Sequence, residues 1–226
     1  MLDRTVTAIK NQCARSGLLE SLFFNKYHYM FSPAQIKMLL ELTFETKDVE
    51  GSYVEVGCAF GATTVLLKKY MDELGLKRPC YALDTFSGFV DSHAEHDIRV
   101  LGKNPDLKKA FRRNSVEWLR ATLRVGRVSG VEIVKGDATK FDFDSIPKIA
   151  FALLDVDLYE PIANILPKLY DKLAPGGIVV VDDCEPGDKW EGALVAYKEY
   201  MASRGQEPNI VSGKLGLVRK DRAEAD

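Results

Sequence analysis

Apolar residues along this chain switch between two spacings, and the switching predicts alternating helices and strands. Ile36, Leu39, Leu40 and Phe44 recur at helical spacing behind Ser32-Pro33-Ala34-Gln35. There Ser32 can cap, Pro33 suits a first turn and Gln35 can close a capping box. Short apolar runs then mark strands at Tyr53–Val56, Cys80–Leu83, Val131–Val134, Ile149–Leu154 and Gly177–Val181. Gly61–Leu74, Asp106–Leu123, Tyr159–Leu173 and Glu191–Ser203 read as helices, with a break expected at Pro167. Residues 87–104 are polar and irregular, a candidate lid. Asn209-Ile210-Val211 and Leu215–Val218, separated by Ser212-Gly213-Lys214, read as a terminal antiparallel hairpin.

Strands that alternate with helices of ten or more residues specify an α/β fold, a mostly parallel sheet with helices on both faces. Five strands and the hairpin make seven. No repeat or linker divides the sequence, so residues 51–226 read as one unit behind a helical segment over residues 1–50. Composition changes this picture little: of 226 residues 46% are hydrophobic and 28% charged, a globular balance. Lys and Arg number 31 against 33 Asp and Glu, so no basic excess suggests a nucleic-acid or membrane-surface partner. The apolar runs at Phe151–Leu154 and Ile178–Val181 fall far short of the ~20 residues of a membrane span. The start, Met1-Leu2-Asp3-Arg4, lacks signal-peptide features, and Cys13, Cys58, Cys80 and Cys184 lack metal or disulfide spacing. Reduced thiols in a cytoplasmic protein are the expectation.

Ligands of such sheets bind at the carboxyl ends of the strands, and five strand ends carry chemistry. The first runs into Glu55-Val56-Gly57-Cys58-Ala59-Phe60-Gly61, two glycines flanking a turn into a helix. Asp84 ends the second strand, 27 residues after Gly57, where an acid can accept from both hydroxyls of a ribose. That device serves NAD and S-adenosylmethionine (SAM) alike and does not choose between them. Gly136-Asp137-Ala138 follows the third strand, Asp155-Val156-Asp157 the fourth and Asp182-Asp183 the fifth. If the fourth and fifth strands are neighbours, about 4.8 Å apart, Asp155, Asp182 and Asp183 converge. Two carboxylates ~5 Å apart repel by roughly 3 kcal/mol at an effective dielectric of 20. Protonation or a hard cation such as Mg2+ relieves that repulsion.

Glu55–Gly61, Asp84-Thr-Phe-Ser-Gly-Phe89, Leu154-Asp-Val-Asp-Leu-Tyr-Glu160, Leu173-Ala-Pro-Gly-Gly177 and Val181-Asp-Asp183 together resemble class I SAM-dependent O-methyltransferases. The chain is most similar to the macrocin O-methyltransferase family, which methylates sugar hydroxyls of natural products, and more loosely to catechol and caffeoyl-CoA O-methyltransferases. The resemblance spans about residues 50–219 and implies a Rossmann-like class I methyltransferase fold. It implies that Glu55, Gly57, Phe60, Gly61 and Thr63 surround the methionine part of SAM. Asp84 would hold the ribose with Thr85 and Ser87 nearby, and Asp137 and Ala138 would contact the adenine. Asp155 would border the cofactor and, with Asp182 and Asp183, bind Mg2+. Asp157 matches the family's proposed general base, and Val156 stands where relatives often carry a small residue. The acceptor would be a small hydroxylated molecule, a sugar or natural product, with a phenol as the alternative. An aliphatic hydroxyl (pKa ~16) costs about 7–8 kcal/mol more to deprotonate than a phenol (pKa ~10), which is why metal and base belong together.

Other features point elsewhere. His93 and His96, with Asp91 and Asp97, form a candidate metal cluster or a base on the lid; their i, i+3 spacing permits ligation only if the segment is helical, and a solvated loop is the plainer reading. Seven basic residues between 106 and 127 fit a solvated helix face. Trp118 reads as core, and Trp190 as either a wall of the acceptor pocket or packing for the last helix. The competing functions are an NAD-dependent oxidoreductase, disfavoured by the missing GxGxxG, a nucleic-acid methyltransferase, and an inactive nucleoside-binding scaffold. A homo-oligomer is compatible with all of them.

Overall fold

In the computed structural model, which describes Thr5, Ile9, Gln12 and residues 29–222, the apolar runs become a seven-stranded sheet of order β3-β2-β1-β4-β5-β7-β6. The strands are β1 (Ser52–Val56), β2 (Cys80–Asp84), β3 (Val131–Lys135), β4 (Ile149–Leu154), β5 (Leu173–Val181), β6 (Ile210–Val211) and β7 (Leu215–Arg219). The first five are parallel, and β7 joins β5 antiparallel as one arm of the expected hairpin. The fold class is therefore as the sequence predicts.

Alternation along the strands loads both faces. Tyr53, Phe151, Leu153, Ile178 and Val180 face one side, and cluster with Leu39 and Leu42 of α1 (Pro33–Glu45) and Leu67 and Met71 of α2 (Ala62–Glu73). Val54, Val56, Ala152, Leu154, Val179 and Val181 face the other, under α5 (Tyr159–Lys172) and α6 (Gly192–Ser203). The chain forms two compact units, 1–30 and 31–226. Helix α1, read from the sequence with an N-terminal segment ending at 50, belongs to the larger unit. Its start carries the predicted capping box, Gln35 N–H on Ser32 Oγ and Ser32 N–H on Gln35 Oε1.

Three local expectations are corrected. Residues 91–100, read as an irregular lid, form a helix, α3 (Asp91–Val100). The Asp106–Leu123 stretch divides into a 3-10 turn over Pro105–Lys109 and α4 (Val116–Gly126), capped by Ser115. Helix α5 runs through Pro167 unbroken, because Ile165, Leu166 and Leu169 are buried on both sides of it.

Main-chain bonds align the strand ends along one edge. Gly57 N–H donates to the Leu83 carbonyl, Asp155 N–H to Val56, Asp182 N–H to Leu154 and Gly136 N–H to Asp84. No helix among the described residues is long and apolar enough to cross a membrane.

Candidate active site

The turn after β1 is shaped by contacts that exclude side chains. Gly57 has φ +91°, and a Cβ there would lie 1.6 Å from the Asp155 carbonyl oxygen. The ends of β1 and β4 touch because this residue is glycine. Gly61, at φ +81°, would place a Cβ 2.1 Å from Leu119 of α4. Between them Ala59 is left-handed, and its N–H donates to Asp84 Oδ2 at 2.8 Å. Phe86 N–H donates to Asp84 Oδ1 at 2.7 Å, and Asn114 Nδ2 lies 3.5 Å from both oxygens. Burial raises the Asp84 pKa, and these donors oppose the rise. Through the two short main-chain bonds Asp84 fastens the glycine turn to the end of β2.

The remaining residues expected around a cofactor lie along the same edge. Glu55 is buried and accepts from the Tyr53 hydroxyl at 3.0 Å; burial pushes its pKa up to about 7 against that bond. Thr63 is half-buried in the first turn of α2, and Phe60 stands 37% exposed at the rim. Thr85 Oγ1 donates to the Gly88 carbonyl at 2.6 Å, and Ser87 is exposed. Asp137 caps a short turn holding Ala138 and accepts from Thr139 N–H and Oγ1 at 3.0 and 2.7 Å. Burial pulls the Asp137 pKa up, but the two Thr139 bonds and His93 leave it below the ordinary value.

Asp155, Asp157 and Asp183 each offer a carboxylate oxygen within 4.8 Å of the others, the one such group among the described residues. Asp157 and Asp183 are held in left-handed backbone, φ +63° and +58°, as are Ala59 and Phe86 at the ends of β1 and β2. Such strain clusters at ligand sites. Burial, then Asp182 and Asp157, hold the Asp155 pKa well above the carboxylate range. Burial and then Asp183 do the same for Asp157. Asp182, expected in the converging trio, stands outside that group. It is 3% exposed, with Oδ2 2.7 Å from Lys214 Nζ and Oδ1 buried without a hydrogen-bond partner among the described residues. Burial and Asp183 push its pKa up to about 7 against Lys214.

Lys214, which the sequence reading passed over as a turn, lies at this acidic edge. Its Nζ also lies 2.8 Å from Asp183 Oδ1. The signal was available in the hairpin. Val181 pairs with Gly216 in an antiparallel ladder, so stepping two residues onward places 183 opposite 214. Burial would lower the Lys214 pKa, but Asp182 and Asp183 raise it above the ordinary value, so the ammonium is charged. An all-oxygen donor set of clustered carboxylates, one oxygen of Asp182 unpaired, fits a hard divalent cation.

The model of the macrocin-O-methyltransferase family, TylF, matches residues 33–211. The chain belongs to that family. A tetracenomycin 4'-O-methyltransferase of Streptomyces olivaceus, whose name places its methyl group on a dimethoxy-rhamnosyl derivative, is 29% identical over 148 residues. That match covers 60% of this chain, and the chain spans about half, 53%, of the relative's length. The O-methyltransferase NovP superposes with a TM-score of 0.70 at 24% identity, over 87% of this chain and 84% of NovP. The calicheamicin methyltransferase CalS11 gives 0.65 at 20%, over 96% and 91%. Both share the fold. Membership in a methyltransferase family weighs against the NAD reading that Asp84 alone left open.

In this member of the family the outlying features have structural partners. Trp118, read as core, is 54% exposed and packs on Phe60 with ring centroids 4.6 Å apart, because α4 turns its apolar Leu119 and Leu123 inward instead. Trp190 packs edge-on to Phe89 at 5.4 Å and tilted against Phe111 at 5.9 Å, over Leu107 and Leu158. His93 and His96 do sit on a helix, yet outside the acidic group. His93 Nε2 is 4.0 Å from Glu160, and His96 stacks on Tyr159 at 4.5 Å. Buried Asp97, grouped with those histidines in the sequence reading, instead accepts from Tyr159 N–H at 3.2 Å and so caps α5. Of the basic residues, Lys108 pairs with Glu95, Lys109 with Asp106 and Arg112 with Asp91. Cys58, Cys80 and Cys184 are free and buried, and Cys13 lies outside the described residues.

Proposed function

We propose that this protein transfers a methyl group from SAM to a sugar hydroxyl of a small natural product, with a divalent cation, Mg2+, at the acidic edge. The observation that carries the reading is the convergence of Asp155, Asp157 and Asp183 within 4.8 Å beside the Asp84-fastened glycine turn, in a chain of this family. The rhamnosyl acceptor in the name of the Streptomyces relative supports the sugar.

SAM supplies an electrophilic methyl whose positive sulfonium is neutralised on transfer. Glu55, Gly57, Phe60, Gly61 and Thr63 line its methionine part. Asp84 holds the ribose with Thr85 and Ser87, Asp137 and Ala138 the adenine, and Asp155 borders both halves of the site. Asp155 and Asp183, two of the converging carboxylates, would hold Mg2+, with Asp182 Oδ1, which no described residue engages, as a third donor from beside the group; the bound ion would orient vicinal acceptor oxygens and lower their pKa. Asp157 is the base. Burial and Asp183 raise its affinity for a proton, and its fixed backbone aims it from the β4 end. It takes the hydroxyl proton onto its carboxylate as the oxygen attacks methyl.

Labelled SAM with a panel of rhamnosides and catechols tests this. The expected result is label on a sugar hydroxyl, lost in EDTA and restored by Mg2+. Full turnover in EDTA overturns the metal part, and label on catechols alone overturns the sugar.

A further inference from the structure

Lys214 is more than a surface charge near an acidic site. Its side chain is 14% exposed, with Nζ 2.7 Å from Asp182 Oδ2 and 2.8 Å from Asp183 Oδ1. Its carbonyl accepts Cys184 N–H at 2.8 Å, so the residue is pinned at both ends to the segment that follows β5. The turn that delivers it uses left-handed Ser212 and Gly213, φ +50° and +89°. Gln35 Nε2 of α1 donates to the Ser212 carbonyl at 3.2 Å, and the Phe31 ring lies 5.0 Å from Nζ. Three structural elements thus place one ammonium against two buried carboxylates. Four aspartates crowd this edge, and like charges there demand compensation.

We propose that Lys214 is a built-in counter-cation of the acidic site. It holds Asp182 and Asp183 together when no divalent ion is bound, and its charge keeps that ion's affinity low enough for exchange. The inference rests on the reading of this edge as a cation site. An ammonium donates and cannot ligate a metal, so it opposes a nearby cation by charge alone. Asp182 Oδ1, buried without a hydrogen-bond partner among the described residues, is the capacity left over once Lys214 has satisfied the other oxygen.

Calorimetric titration of Mn2+ into wild type, Lys214→Met and Lys214→Arg tests it, with thermal unfolding in EDTA alongside. The expected result is at least ten-fold tighter Mn2+ binding by Lys214→Met, about 1.4 kcal/mol, and wild-type affinity in Lys214→Arg. Lys214→Met should lose more thermal stability in EDTA than wild type and recover it with Mn2+. Lys214→Gln keeps a donor at the site and serves in place of the Met variant if that chain does not fold. Unchanged or weaker Mn2+ binding on loss of the charge overturns the proposal, as does an Arg variant that behaves like Met. No Mn2+ heat from any sample overturns it together with the metal part of the proposed function. S-adenosylhomocysteine (SAH) binding by the same samples reports separately on the methyl-transfer reading.

Discussion

Glu55 ends a buried strand, and its carboxyl sits at about 7 because burial outweighs the Tyr53 hydroxyl. The native state therefore keeps a proton that the unfolded chain releases near pH 4.5. Stability from this group is present below that pH and declines as pH rises through about 7, by about 3 kcal/mol in all. Glu55→Gln should gain stability relative to wild type between pH 5 and pH 8, read by urea unfolding at each pH. A constant difference across that range contradicts the assignment. Asp157→Asn should cut methyl transfer roughly 10²–10⁴-fold while SAH affinity moves less than three-fold; loss of SAH binding would make Asp157 a binding residue. Gly57→Ala forces a Cβ onto the Asp155 carbonyl from an unfavourable φ. It should destabilise the protein by on the order of 3 kcal/mol, read by the same unfolding assay.

Among the elements, strands and their terminal acids are legible in sequence because each apolar run stops at the residue that carries chemistry. Asp84, Asp155 and Asp182 follow Leu83, Leu154 and Val181 directly. Helix α3 is not legible. Its ten residues offer only Ala94 and Ile98 to the core, and its order comes from partners distant in sequence. Asp97 accepts from Tyr159 N–H, and a Cβ on Gly192 would meet Asp97 Oδ2 at 2.0 Å. Lys103 Nζ ties the end of the segment to Glu191 and the Asp188 carbonyl. Lys214 was hidden for a similar reason: its partners come from strand register, not from neighbours in the chain. Trp118 misleads because hydrophobicity alone cannot say which face of α4 turns inward. Asp97→Ala should lower amide-exchange protection across residues 91–100 at least ten-fold and leave α2 unchanged. Equal protection in the variant would mean that α3 is held by its apolar contacts alone.

Across the molecule, glycine turn and acidic edge are one unit, joined where Gly57 meets the Asp155 carbonyl and fixed by the parallel ladders on both sides. Protons and a divalent cation compete for acids whose pKa values burial has raised. Mg2+ should therefore raise the melting temperature more at pH 8 than at pH 6; an equal rise at both would place the ion elsewhere. The family assignment makes the donor site the central claim, and titration of SAH into the purified protein tests it without an acceptor in hand. Calorimetry should give micromolar SAH binding, no heat from NAD, and a loss of at least ten-fold in Asp84→Ala. A folded sample that binds no SAH, or binds NAD instead, would contradict the account.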